Sequence, residues 1–448
     1  MIQIETIETS SLGDRSYLAT DGAVALVIDP QRDIDRIVTM VEQRGVRVTH
    51  VVETHVHNDY VTGGLELAER TGADYVLAAG SGVEFEHVAV EDNEVLEVGA
   101  MRLRVLHTPG HTHHHASYTL ENTDGDVQGV FTGGSMLFGA TGRTDLLGPQ
   151  DTEALTHAQY HSVRRLAREL PADTPVFPTH GFGSFCSATP TTGDDSTIGQ
   201  QIQTNPALTS TEQDYVDSLI AGLSAYPAYY AHMMPINSHG PAPVDLSLPL
   251  PVDPAELRRR IEDGQWVVDL RERTVFAAGH LAGSWGFELS TSFVTYLGWL
   301  YHYGSPLTLI GDSEAQITDA RRELVRIGVD DLAGAAIGAI EDLADGQPLR
   351  SYPVSDFAGL AQAMGQGPVH VLDTRRDDER AQGCVRGSQH IPLHELVARI
   401  DEVPQDTVWV YCGSGYRSSI AASALDRPGR HLVLINDAYA AAADAGLE

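Results

Sequence analysis

The stretch THVHNDYVTGG, residues 54–64, places His55 and His57 one residue apart and Asp59 two positions further on. In the spacing His-x-His-x-Asp-His, the first two histidines help hold one metal ion, and the aspartate and last histidine reach a second ion beside it. Tyr60 stands at that last position. The stretch follows a β-rich run, VTHVVETH, which puts the histidines on the loop leaving a strand. The stretch thus points to a metal-binding α/β fold with part of its ligand set missing.

Around this stretch, short β-rich runs (AVALVIDP, VTHVVETH, MRLRVLHTPG, DVQGVFTGG) alternate with turn signals and helical stretches. The helices include IDRIVTMVEQRG and DTEALTHAQYHSVRRLAREL, the second ending at a proline. A chain of 448 residues exceeds one core and suggests about three domains. Near YYAHMMPINSHGPAPVDLSLPLPVDP prolines cluster and periodicity vanishes, which reads as a linker. Beyond it one layout occurs twice: a helix, a buried strand ending in Asp-x-Arg, a turn, a second strand, a loop and a helix. The first copy opens with PAELRRRIEDGQWVVDLRERT and the second with FAGLAQAMGQGPVHVLDTRRDD. The expected domains are residues 1–245, 250–350 and 352–448.

The second copy carries the sharper chemistry. Cys412 follows the apolar strand TVWVY, and Cys412, Gly413, Ser414, Gly415, Tyr416 and Arg417 form a glycine-loosened loop opening into the helix start SSIAASAL. A thiol there faces a helix N-terminus and free backbone N–H groups, which draw negative charge onto sulfur. Arg417 can hold an anionic donor beside it. The plain alternative is a buried small cysteine, the usual fate of an intracellular thiol, and the loop glycines weigh against it.

This repeat, residues 250–448, resembles the rhodanese family of sulfurtransferases, whose loop runs Cys, four residues, Arg. The resemblance implies a persulfide at Cys412, with Gly413, Ser414, Gly415 and Tyr416 cradling the outer sulfur. The first copy's equivalent loop, GDSEAQI, has neither Cys nor Arg and implies an inactive structural partner. Cys384 stands where the family often has histidine, and is expected to be a packed surrogate for it.

In the first half, His55, His57, Asp59, His111 and His180, in this order, resemble the metallo-β-lactamase fold, an αββα sandwich with ligands at its rim. The stretches GATGRTDLLG, PTHGFGSFCSA, STIGQQIQTNPAL and YPAYYAHMMPIN look like its persulfide dioxygenase branch, in the form fused to rhodanese domains. That resemblance implies one Fe(II) held by two histidines, His55 and His111, and an aspartate, with Arg143 of the GRTD stretch at the substrate. The aspartate's place in Thr-Gly-Asp is Gly134 here. The expectation is therefore a degenerate site: at most one Fe(II) or Zn(II), weakly held or absent, on His55, His57 and His111. Asp59 and His180 are further candidate ligands, and Gly134→Asp is expected to restore a carboxylate. Of His113, His114 and His115, at least two are expected to be solvated.

Composition narrows the partners. With 29 basic residues, all arginine, against 62 acidic ones, the net charge of -33 excludes nucleic acid and anionic membrane. No apolar run is long enough to span a bilayer, and the N-terminus lacks a secretory pattern, so a cytoplasmic location is expected. Three cysteines far apart, Cys186, Cys384 and Cys412, argue against a disulfide framework. Three functions compete: persulfide oxidation coupled to sulfur transfer; sulfur transfer alone with a silent first domain; and zinc hydrolysis of thioesters in the manner of glyoxalase II, which the two missing ligands disfavour. The expected partners are a small-molecule persulfide or thiosulfate and a thiol acceptor, with the oligomeric state left open.

Overall fold

The computed structural model describes residues 2–189, 191 and 193–448. Two compact units emerge, Met1–Asp245 with Val325–Gly328, and Leu246–Leu324 with Val329–Glu448.

The first unit holds two sheets. One contains β1 (Gln3–Thr9), β2 (Asp14–Thr20), β3 (Val24–Ile28), β4 (Arg47–Val52), β5 (Asp74–Ala78) and β6 (Val88–Val90), side by side in that order. The other runs from β7 (Val95–Val98) through β8 (Met101–His107), β9 (Ala116–Asn122) and β10 (Val127–Gly133) to β11 (Val176–Pro178). Strand periodicity divides the side chains between layers. In β3, Leu26 and Ile28 face the space between the sheets, packing with Val52, Leu103, Val105, Tyr118 and Phe131. Ala25 and Val27 turn the other way, onto Ile34, Ile37 and Leu67 of the helical layer. On the far side of the second sheet, Val163 and Leu166 of helix Pro149–Glu169 cover Leu106 and Val130. The result is the αββα sandwich.

The second unit holds two sheets whose pairings are all parallel. The first contains β12 (Trp266–Asp269), β13 (Trp285–Gly286), β14 (Leu307–Gly311) and β15 (Leu332–Ile337), ordered β13-β12-β14-β15. The second contains β16 (Val354–Ser355), β17 (His370–Asp373), β18 (Gln389–His390), β19 (Thr407–Tyr411) and β20 (His431–Ile435), ordered β18-β17-β19-β20-β16. Apart from the short β16, the strand orders coincide. So do the Asp-x-Arg pairs. Arg271 grips Asp269 and donates to the Gly279 carbonyl at 2.9 Å; Arg375 grips Asp373 and donates to the Gly383 carbonyl at 2.7 Å.

The stretch expected to be a linker instead begins with a helix, Tyr230–His239, with Pro235 inside it. Burial of Tyr230, Met233 and Asn237 outweighs the proline's cost of about 3 kcal/mol. Only the residues after it lack regular structure as far as Pro254. No helix among the described residues is long and apolar enough to cross a membrane.

Candidate functional site

The loops leaving β4, β8 and β11 bring five buried histidines together. The His55 ring lies 4.2 Å from His57, 4.8 Å from His111, 5.0 Å from His115 and 5.3 Å from His180, centroid to centroid. The loop carrying His55 and His57 is held by the unexpected helix. Asn237 Nδ2 donates to the carbonyls of His57 and Tyr60 at 2.9 and 2.8 Å, and Asn237 Oδ1 accepts from Thr62 N–H at 2.9 Å.

Four of the rings are anchored through Nδ1: His55 beside Thr54 Oγ1 at 2.9 Å, His111 on the Arg143 carbonyl at 2.7 Å, His115 beside Thr108 Oγ1 at 2.9 Å, and His180 between Asp14 at 2.9 Å and Asp59 at 3.0 Å. This leaves their Nε2 atoms for other partners. His55 Nε2 lies 3.4 Å from His180 Nε2, and His115 Nε2 accepts from Gly134 N–H at 3.0 Å. The buried His111 Nε2 has no hydrogen-bond partner among the described residues. His57 is turned the other way. Its Nε2 meets Glu53 at 3.1 Å, Asp29 at 3.2 Å and the Tyr60 hydroxyl at 2.9 Å, and its Nδ1 is the unpartnered atom.

Charge follows from these contacts. Burial opposes the His57 imidazolium, but Asp29 and Glu53 outweigh it and lift the pKa to about 9. Burial pushes Glu53 up to about 7. His180 is likewise raised, with Asp59 and Asp14 overcoming burial. Asp14 is pushed up to about 7 by burial and by the charge of Asp59. His111, by contrast, is pushed down to about 3 by burial and by His180. Burial and the nearby carboxylates push the Cys186 thiol up.

Potential ligand atoms within 4.8 Å of one another form the groups His55–His57–His180, His111–His180–Cys186, Asp14–Asp59–His180 and Asp29–Glu53–His57. The structure thus regroups the residues expected from sequence, with His180 as the hub. His57 and His111 each carry an orphaned buried nitrogen and each falls in a group with His180, a donor set that fits a metal ion. Tyr60 fills the place of the missing histidine, its phenol donating to the Asp29 carbonyl at 3.3 Å. Gly134 lies against His111: a Cβ there would meet the ring at 2.3 Å. Arg143 is occupied otherwise than expected. Its guanidinium pairs with Asp145 at 2.7 Å, donates to the carbonyls of Phe185 and Ser224, and stacks on Tyr226, while its carbonyl orients His111. His113 and His114 are exposed and border a cavity of about 310 Å³ with Val56, Thr112, Leu147 and Met234.

Sequence reasoning missed Asp14, Asp29, Glu53 and Cys186 as members of this cluster, and left open which of His113, His114 and His115 would join it; the buried one is His115. Asp29 and Glu53 each follow an apolar strand directly, and a carboxylate in that position was the available signal.

In the second unit, Cys412 follows β19 and lies before helix Tyr416–Leu425. Gly415 N–H donates to Cys412 Sγ at 3.2 Å, and Ser418 Oγ lies 3.5 Å from it. Gly415 has a φ of 95° and a Cβ there would meet Asn436 at 2.2 Å, so the loop requires glycine. Ser414 is exposed at the loop tip. The Tyr416 hydroxyl donates to the Glu288 carbonyl at 2.8 Å, and Arg417 is forked onto Glu379 at 2.5 and 2.7 Å.

Residues 15–180 match the metallo-β-lactamase superfamily, and residues 356–443 match the rhodanese-like domain. The mitochondrial persulfide dioxygenase of Homo sapiens is 29% identical over 210 residues, covering 46% of this chain and 74% of that protein. A hydroxyacylglutathione hydrolase of Methylococcus capsulatus is 34% identical over 151 residues, 33% of this chain and 53% of that one. A crystal structure of a metallo-β-lactamase from Staphylococcus aureus superposes with a TM-score of 0.68 at 28% identity, covering 75% of this chain and 99% of its own. Three quarters of this chain is more than the first unit contains, so that likeness continues into the second. The chain is thus a fusion of a metallo-β-lactamase-superfamily domain, which has persulfide dioxygenases among its relatives, with a carboxy-terminal rhodanese-like domain.

Proposed function

We propose that this protein is a persulfide-handling enzyme of sulfur metabolism that transfers sulfane sulfur through Cys412. The observation that carries this reading is the Cys412 loop, where a thiol sits at a strand-to-helix turn with an N–H group donating to its sulfur. With thiosulfate as donor, the Cys412 thiolate attacks the outer sulfur, an S–S bond forms on the enzyme and sulfite leaves with the electron pair of the broken bond. A nucleophile such as cyanide then takes the outer sulfur and returns the thiolate. The loop amides suit the anionic outer sulfur, and Arg417 suits the donor anion once Glu379 yields it. We read residues 250–350 as the inactive copy of the same domain, since GDSEAQI offers no thiol.

For the first unit, relatives named as persulfide dioxygenases and the orphaned His111 Nε2 support a metal-assisted persulfide site. The residues that would hold the ion are imidazoles around His180, and the ion would act as a Lewis acid toward a persulfide sulfur. The chain's own part is to orient those rings through Asp14, Asp59 and the Arg143 carbonyl, and to shield them from water. Cys412→Ser should abolish thiosulfate-to-cyanide transfer while Cys384→Ser retains it. Full activity in Cys412→Ser sinks the assignment.

A further inference from the structure

Loss of the family's aspartate at Gly134 leaves the imidazole cluster without a negatively charged ligand at that place. A thiol lies elsewhere in the same cluster, beside the carboxylates of Asp14 and Asp59 that already hold His180. Cys186 Sγ, His111 and His180 offer ligand atoms within 4.8 Å of one another, and all three side chains are buried. His111 Nδ1 donates to the Arg143 carbonyl, so its unpartnered Nε2 carries the lone pair. His180 is anchored through Nδ1 on two carboxylates, the arrangement that prepares Nε2 for a metal.

The loop bearing Cys186 is fixed to the same support. Arg143 N–H donates to the Cys186 carbonyl at 2.8 Å, and the Arg143 guanidinium donates to the Phe185 carbonyl at 3.2 Å. One residue therefore positions His111 through its carbonyl and Cys186 through its amide.

We propose that His111, His180 and Cys186 together bind a thiophilic divalent cation of the zinc class, with the Cys186 thiolate supplying the charge the missing aspartate would have supplied. On binding, the thiol gives its proton to solvent and forms the metal–sulfur bond, with no change of oxidation state. Two imidazoles and a thiolate suit zinc, whereas a thiolate-free set of imidazoles and carboxylate is the one expected for the family's Fe(II). This rests on reading the histidine cluster as a metal centre and is independent of the Cys412 chemistry.

The test uses the full chain carrying Cys384→Ser and Cys412→Ser, so that Cys186 is its only thiol. Loaded with one equivalent of Co(II), it should show a near-ultraviolet thiolate-to-cobalt charge-transfer band that vanishes on adding Cys186→Ser. Loaded with Zn(II), it should show one sulfur at ~2.3 Å by X-ray absorption. Zn(II) affinity should fall at least about 100-fold in the Cys186→Ser protein, since even an outer partner of a ligand is worth ~10 to 100-fold. If that variant does not fold, the X-ray absorption measurement on its parent decides alone. An ion bound without sulfur overturns the assignment of Cys186 and leaves the histidine cluster as a metal centre. Failure to bind either ion overturns both.

Discussion

Gly134 and its neighbour His111 show why a site cannot be repaired one residue at a time. The spacing suggests that Gly134→Asp would restore a carboxylate ligand, but the added Cβ would fall 2.3 Å from a ring held at 2.7 Å by the Arg143 carbonyl. We expect the variant to gain no metal and to lose about 1–3 kcal/mol from overpacking, seen as a lowered melting temperature with unchanged metal content. Arg417 presents the opposite case, a guanidinium already satisfied. Glu379 holds it in a fork, and on the proposed reading a donor anion would displace that carboxylate. Glu379→Gln should lower the KM for thiosulfate roughly tenfold, a difference of about 1.4 kcal/mol, whereas Arg417→Ala should raise it. A KM unchanged in both would show that Arg417 does not meet the donor. At this scale His55, His57 and Asp59 stood out by their spacing and Cys412 and Arg417 by their loop, whereas His111 and His180 entered only through the family resemblance. Asp14 could not, because it meets His180 only across 166 residues of chain. Cys186 was visible as a residue but not as a neighbour of His111, since its place depends on the turn that ties it to Arg143.

Among the elements, the repeated Asp-x-Arg strands give a comparison within one molecule. Asp269 is gripped by Arg271 and its backbone N–H, whereas Asp373 also receives Arg380 at 3.1 Å and the Tyr411 hydroxyl at 2.7 Å. Arg271→Met should therefore cost about 3–5 kcal/mol by leaving a buried carboxylate without its counter-ion. Arg375→Met should cost less, because two partners remain. Urea unfolding of both variants gives the order directly. The helices and strands that bracket the two functional loops were legible because their apolar residues keep the period of 3.6 or run as short buried stretches. Helix Phe293–Leu300 gave no such signal. Seven of its eight residues are buried, so no polar face marks its period.

For the whole molecule, charge binds the two halves of the second unit. Asp426 accepts from Arg350 at 2.7 Å and meets His280 Nε2 at 3.0 Å, joining the end of helix Tyr416–Leu425 to the first half. Burial alone would raise its pKa, but the bonds from Arg350 and His280 overcome it and bring the value from 3.8 down to about 2. A depressed folded value gives stability that is complete above the unfolded pKa and is lost as pH falls through the folded one. The second unit should hold its stability above pH ~4 and lose this part between about 4 and 2, while Asp426→Asn shows a flatter acid limb in denaturant titrations. The α/β class, too, was readable from strand and helix patterning and the αββα order from the family resemblance, but not the distance in sequence that its rim bridges. The time order of synthesis gives that distance a meaning. Asp14 and His55 leave the ribosome early, while His180, the hub of the cluster, and Cys186 come after β11 has been made. A nascent chain therefore carries an incomplete histidine cluster through most of the first unit's translation, and on the proposed metal-site reading an ion would have a finished place to settle only once the second sheet gains its last strand.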